Sequence, residues 1–214
     1  MNKNITQKQK IVLELIYNTI KSEGFPPSLV DLKKELGVSS NQAVLNFLRI
    51  LEKKGFIKRK EGQARSIQIL PMGFKVLGKK QLLPLVGDTS AGPFTESFGD
   101  FRKFQEIPSN AMLNERVLTS DEVFLLQVHG DSMINANIDD GDVLLIQKIR
   151  EFKNGDIVVA RSDEGTTVKR FVVDGGKTYL KPENPAYKII PIYPETYFDG
   201  KVILNLSALK NNKF

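Results

Sequence analysis

The chain changes texture once, near residues 70–80, and that change limits the fold more than any single motif does. Before it, apolar residues recur at three- and four-residue spacing, as on one face of a helix. After it come short apolar runs punctuated by Gly, Asp and Asn, as in strands joined by tight turns. Two domains of different class are expected: an α head over 1–70 and an all-β domain over 81–214. The segment 71–80 has two glycines, a proline and no clear period, and it reads as the linker between them.

Charge divides at the same place. Residues 1–70 hold 13 Lys and Arg against 6 Asp and Glu, whereas 71–214 hold 18 against 19, so the excess behind the net +6 sits in the head. A basic segment of domain size with helical periodicity is the electrostatic footprint of a nucleic-acid binder; a merely solvated basic surface is the alternative. The absence of cysteine excludes disulfides, thiolate nucleophiles and Cys-ligated zinc, and the single histidine, His129, gives little basis for a histidine-rich metal site. No metal or cofactor is therefore expected. No apolar run approaches the length of a membrane span, and the start Met1-Asn2-Lys3-Asn4 lacks the apolar stretch of a signal peptide, so a cytoplasmic location is expected.

Thr6 and Gln9 form a possible capping box ahead of Ile11, Val12, Leu15, Ile16 and Ile20, and Glu23-Gly24 ends this first helix. Pro26-Pro27 stops the chain, Ser28 with Asp31 starts a second helix, and Leu36-Gly37 closes it. A third helix runs from about Asn41 to Lys54 behind a capping Ser40, with Val44, Phe47, Leu48 and Leu51 on its apolar face. Two helices joined by so short a turn match a helix-turn-helix. Residues 56–60 and 65–69 then flank 61–64 as a β-hairpin, which makes the head a winged helix-turn-helix. In that arrangement the third helix enters the major groove. Ser40, Gln42, Ala43 and Asn46 are the candidates for base contact, and Arg49, Lys53, Lys58, Arg59 and Arg65 those for phosphates.

In the second domain, the apolar run Val123 to Val128 ends at His129-Gly130-Asp131-Ser132-Met133. A serine at a strand end is either a nucleophile or ordinary turn chemistry. As a nucleophile it needs a base to take its proton, and His129, three residues away at the strand end, is awkwardly placed for that. The other option is a lysine made neutral by burial, and Thr166-Thr167-Val168-Lys169-Arg170-Phe171 offers one. Alternation along a strand puts either Lys169 or Arg170 inward, and an edge-strand lysine that deters aggregation remains the competing reading. Between the first and second apolar runs, Gly87 to Phe94 is rich in small residues, and around Ala91-Gly92 these would let a nucleophile approach the Ala91 carbonyl.

An ordered set of motifs resembles the LexA family of self-cleaving bacterial repressors over nearly the whole length. It comprises Pro26-Pro27, Leu36-Gly37, Pro84-Leu85-Val86-Gly87 ahead of Ala91-Gly92, Gly130-Asp131-Ser132-Met133, Asp140-Gly141-Asp142, Asn154 to Arg161, Thr167-Val168-Lys169-Arg170 and Leu180-Lys181-Pro182-Glu183-Asn184. The resemblance implies a C-terminal peptidase domain with Ser132 as nucleophile and Lys169 as general base. It implies a cut between Ala91 and Gly92, and an oxyanion hole of main-chain N–H groups near Asp131 and Ser132. It further implies a homodimer on a palindromic double-stranded DNA operator, and RecA filaments on single-stranded DNA as the trigger of self-cleavage. The third helix carries Leu45-Asn46 where the family has an acidic pair, and Asn41 in place of a proline, so the operator sequence does not carry over. Pro93 directly after Gly92 is a second departure. A prophage repressor of the same architecture, or a repressor whose peptidase domain is inert, would share most of these features.

Overall fold

A computed structural model describes residues 4–60, 65–86, 103–108, 119, 121–162 and 165–210. They divide into two compact units, one drawn from 1–84 and 95–120 and the other from 85–94 and 121–214.

The first unit is built on helix ends that the local sequence specifies. In α1 (Gln7–Glu23) Thr6 Oγ1 accepts from Gln9 N while Gln9 Oε1 accepts from Thr6 N, so the first turn's orphan donors are bonded reciprocally. Gly24, in the left-handed region at φ 79°, ends the helix. Ser28 and Asp31 repeat the capping box for α2 (Leu29–Glu35), and Ser40 caps α3 (Asn41–Lys53). Val12, Leu13, Ile16 and Tyr17 of α1, Leu32 of α2, and Val44, Leu48 and Leu51 of α3 are buried together. Strands β1 (Ile57–Lys58) and β2 (Gln68–Ile69) pair antiparallel, Ile57 opposite Ile69, as the base of the expected wing. The wing's tip, 61–64, lies outside the described residues.

The expected linker contains a helix instead. Pro71 to Leu77 forms α4, with Pro71 at its start and Gly78 at φ 63° as its C-cap, and Phe74 and Leu77 join the head's core. Gly73 is required there by close packing, since a Cβ would lie 2.5 Å from the Phe56 carbonyl oxygen. The residues read as breakers are thus the cap, the first turn and the contact point of a short helix. The head unit also reaches further than residue 70. Leu82, in β3 (Leu82–Val86), belongs to its core, and β4 (Phe104–Glu106), which the alternation of apolar residues did not mark, pairs with Leu82, Leu83 and Pro84. Glu106 accepts from Tyr17 Oη at 3.0 Å and from Lys21 Nζ at 2.6 Å.

The second unit is the expected β domain, a mainly antiparallel sheet. It comprises β5 (Val123–Gln127), β6 (Val143–Gln147), β7 (Ile157–Ser162), β8 (Gly165–Asp174), β9 (Lys177–Lys181), β10 (Ile190–Pro191) and β11 (Tyr197–Asn205), ending in α5 (Leu206–Lys210). Its strand order is β10-β9-β8-β7-β11-β6-β5-β3, with Leu85 and Val86 of β3 running parallel to β5. Val123 to Leu126 and Leu144 to Ile146 are buried, and Phe152 packs tilted against Phe171 and Phe198, which meet edge to face, beside Val158 and Leu180. Among the described residues no helix is long and apolar enough to cross a membrane.

Candidate active site and nucleic-acid face

In the second unit two elements converge on one pair of side chains. Strand β5 leads to Val128, whose N–H donates to Asp142 O and whose carbonyl accepts from Gly141 N. The chain then turns at Gly130, φ 84°, a conformation that favours glycine, and Gly130 N–H donates to Asp140 Oδ1 at 2.7 Å. This sets the following residues as a compact loop: Met133 is buried and anchors it, and Ser132 is half-buried. Strand β8 brings the second group. Lys169, paired with Val158 of β7, is only 5 % exposed.

Lys169 Nζ lies 2.8 Å from Ser132 Oγ, 2.6 Å from Thr167 Oγ1 and 3.0 Å from Val168 O. None of these three partners is an anion. Burial removes hydration that the ammonium would otherwise have, and pushes Lys169 down from 10.5 to about 8. In the neutral form, Thr167 Oγ1 and Val168 O can accept the two amine hydrogens, and the lone pair is left for the Ser132 hydroxyl. Such a pair can take a proton from serine as its oxygen attacks a carbonyl, and return it to a leaving amine.

Of the two residues that alternation left open, Lys169 meets the serine and Arg170 meets a carboxylate. Arg170 Nε donates to Glu183 Oε1 and its Nη1 to Gly155 O, both at 2.6 Å. Glu183 N in turn donates to Ser132 O at 2.9 Å. Sequence reasoning assigned no role to Thr167, Arg170, Glu183 or Asn184. Their signal was present only as motif membership: the site contacts of Arg170, Glu183 and Asn184 join residues 13 or more apart in the chain, and Thr167 meets Lys169 from two positions along the same strand. His129 is exposed. Ala91 and Gly92 lie outside the described residues.

On the head, Gln42, Asn46, Arg49, Lys53 and Lys58 are exposed. Gln42 Nε2 donates to Asn46 Oδ1 at 3.1 Å, so these two side chains present themselves as one unit. Ser40 Oγ is engaged as the cap, accepting from half-buried Ala43's N–H. Arg59, expected at phosphates, is tied within the head: its Nη2 lies 2.9 Å from Glu52 Oε2 and its main-chain N–H donates to Glu52 Oε1. Arg65 stacks its guanidinium over the Phe25 ring at 4.0 Å. Between the start of α2, helix α3 and the wing runs a groove of about 630 Å³ whose wall includes Leu45, Arg49, Arg59, Lys60 and Arg65. Lys60 is the cation here that the sequence reading omitted.

A basic winged helix joined to a β domain that holds a buried lysine against a serine defines a class: a DNA-binding head carried with a serine-peptidase-type unit. Residues 84–203 match the Peptidase S24-like family, and residues 2–66 match the LexA DNA binding domain. The chain is 37% identical over 203 residues to the LexA repressor of Caldicellulosiruptor saccharolyticus, covering 95% of this chain and 97% of the relative. It is 36% identical over 206 residues to that of Desulfitobacterium hafniense, again 95% and 97%. With the LexA repressor of Lactobacillus delbrueckii subsp. bulgaricus it shares 36% over 200 residues, 92% and 93%. The chain belongs to the LexA repressor family, and is a transcriptional repressor of that type with an S24-type peptidase domain.

Proposed function

We propose that the protein represses DNA-damage (SOS) response genes and is inactivated by cutting itself between Ala91 and Gly92. The observation that carries the reading is the 2.8 Å approach of a buried, carboxylate-free lysine amine to Ser132 Oγ. Ser132 Oγ attacks the Ala91 carbonyl carbon as Lys169 Nζ takes the hydroxyl proton. The tetrahedral intermediate collapses, the C–N bond breaks, and Lys169 returns the proton to the Gly92 amine. Lys169 next deprotonates a water, which attacks the ester; the C–O bond to Ser132 breaks, Lys169 returns the proton to Ser132 Oγ, and residues 1–91 are released from 92–214.

Two heads of a homodimer would occupy the halves of a palindromic operator, about one helical turn or roughly 10 bp apart. Gln42 and Asn46 are the base-reading candidates, and Arg49, Lys53, Lys58 and Arg65 contact phosphates, with Lys60 added by the groove. Cutting the chain separates each head from its dimerising unit and removes the bivalent advantage, typically 10²-fold or more. RecA filaments on single-stranded DNA would trigger this by favouring the conformation in which the cleavage segment enters the site.

Mass spectrometry of purified protein, with and without RecA filaments, tests the reading. The expected result is a pair of fragments meeting at Ala91-Gly92, absent in Ser132→Ala and Lys169→Ala. The same fragments from either variant would refute it.

A further inference from the structure

Two peptide planes flank the Ser132 side chain, and both have their carbonyls held. The carbonyl of Asp131 accepts from Asn184 Nδ2 at 3.1 Å and from Ile134 N at 3.2 Å. The carbonyl of Ser132 accepts from Glu183 N at 2.9 Å. Among the described residues there are no cis peptides, and in a trans peptide the N–H points opposite to the C=O. Fixing the Asp131 carbonyl therefore fixes the direction of the Ser132 N–H, on the other side of the plane.

The groups that do the fixing are themselves fixed. Asn184 Oδ1 accepts from Ala186 N at 3.0 Å, which turns its amide so that Nδ2 faces Asp131, where it also meets Oδ2 at 3.2 Å. The Glu183 carbonyl accepts from Asn135 N at 2.9 Å, so the 183–184 segment is stitched to the serine loop on both sides of Ser132. Its carboxylate is held by Arg170, which follows Lys169 on β8.

We propose that Asn184 and Glu183 are positioning residues for acyl transfer. They hold the peptide planes around Ser132 so that its N–H faces the developing oxyanion, and Arg170 fixes this brace to the strand that carries the base. The inference rests on reading Ser132 as the nucleophile. A donor aimed in advance at the oxyanion costs no reorganisation when charge develops, whereas a plane free to rotate forfeits part of that stabilisation.

The test compares self-cleavage of full-length wild type, Asn184→Ala, Arg170→Ala and Arg170→Lys across pH, alongside melting temperatures. Asn184→Ala is expected to lower the plateau rate by about 10-fold to 10²-fold. The pH midpoint should stay at the wild-type value, because the surroundings of Lys169 are untouched. Arg170→Ala should lower the rate similarly, and Arg170→Lys, which keeps a cation for Glu183, should recover part of it. A wild-type plateau rate in Asn184→Ala, or a displaced midpoint, would overturn the brace. If Asn184→Ala also melts early, Asn184→Ser, which keeps a smaller donor, gives the same comparison: a rate between wild type and alanine supports the brace, and equality with wild type or with alanine opposes it. Wild-type protein that shows no Ser132-dependent cleavage at all would instead defeat the nucleophile reading itself.

Discussion

The two units hold their functional groups in opposite ways. The head spreads most of its candidate cations and amides over an exposed surface, where in the proposed function each would contribute a modest share of binding. The second unit holds one buried amine 2.8 Å from one hydroxyl, and in the proposed reaction that pair depends on the hydration the amine has lost. Distributed function tolerates single losses; concentrated function does not. Substitutions should therefore grade smoothly on the head and behave as a switch in the peptidase unit.

The largest effect sharpens this contrast. Ser132→Ala should abolish self-cleavage while leaving operator affinity in a mobility-shift titration unchanged, because no head residue is altered. Next in size is a pair of cations on the groove: Arg49→Ala with Arg65→Ala should weaken operator binding by about 10-fold to 10²-fold, and reduce the slope of log affinity against log salt by about 2. Loss of all binding from this pair would show that the head too concentrates its function. Gly73→Ala should cost about 1–3 kcal/mol in a denaturant titration of the head, since the added Cβ would lie 2.5 Å from the Phe56 carbonyl oxygen. The smallest change is expected from Glu52→Gln, which loosens Arg59 from its ion pair and should shift operator affinity by no more than a few-fold.

The same contrast explains what the sequence disclosed. Helices α1 to α3 were legible because their caps and apolar faces are local: Thr6 with Gln9 and Ser28 with Asp31 lie within a single turn. Helix α4 was not, because Pro71, Gly73 and Gly78 carry the same signature whether they interrupt a chain or build a seven-residue helix. Only the contact of Gly73 with Phe56 and the burial of Phe74 decide between them. Most strands of the β unit followed from their apolar runs, whereas β4, in the head unit, is three half-buried residues fixed by pairing with β3 and by Glu106 meeting Tyr17 and Lys21. At the site, alternation could narrow the inward residue to Lys169 or Arg170 and go no further. Both turn out to be used, one at Ser132 and the other at Glu183, and those partners lie 37 and 13 residues away. A pattern confined to the strand has no access to either.

The most direct measurement is the first-order rate of fragment formation as a function of pH in the full-length protein. Lys169 is lowered to about 8 by burial, so below that pH only a minority is neutral and able to accept the Ser132 proton. The rate should climb about tenfold per pH unit on the acid side and level off above pH 8. Lys169→Ala should remove the reaction at every pH. A rate that is flat across this range, or a climb that persists in Lys169→Ala, would contradict a buried lysine as the base.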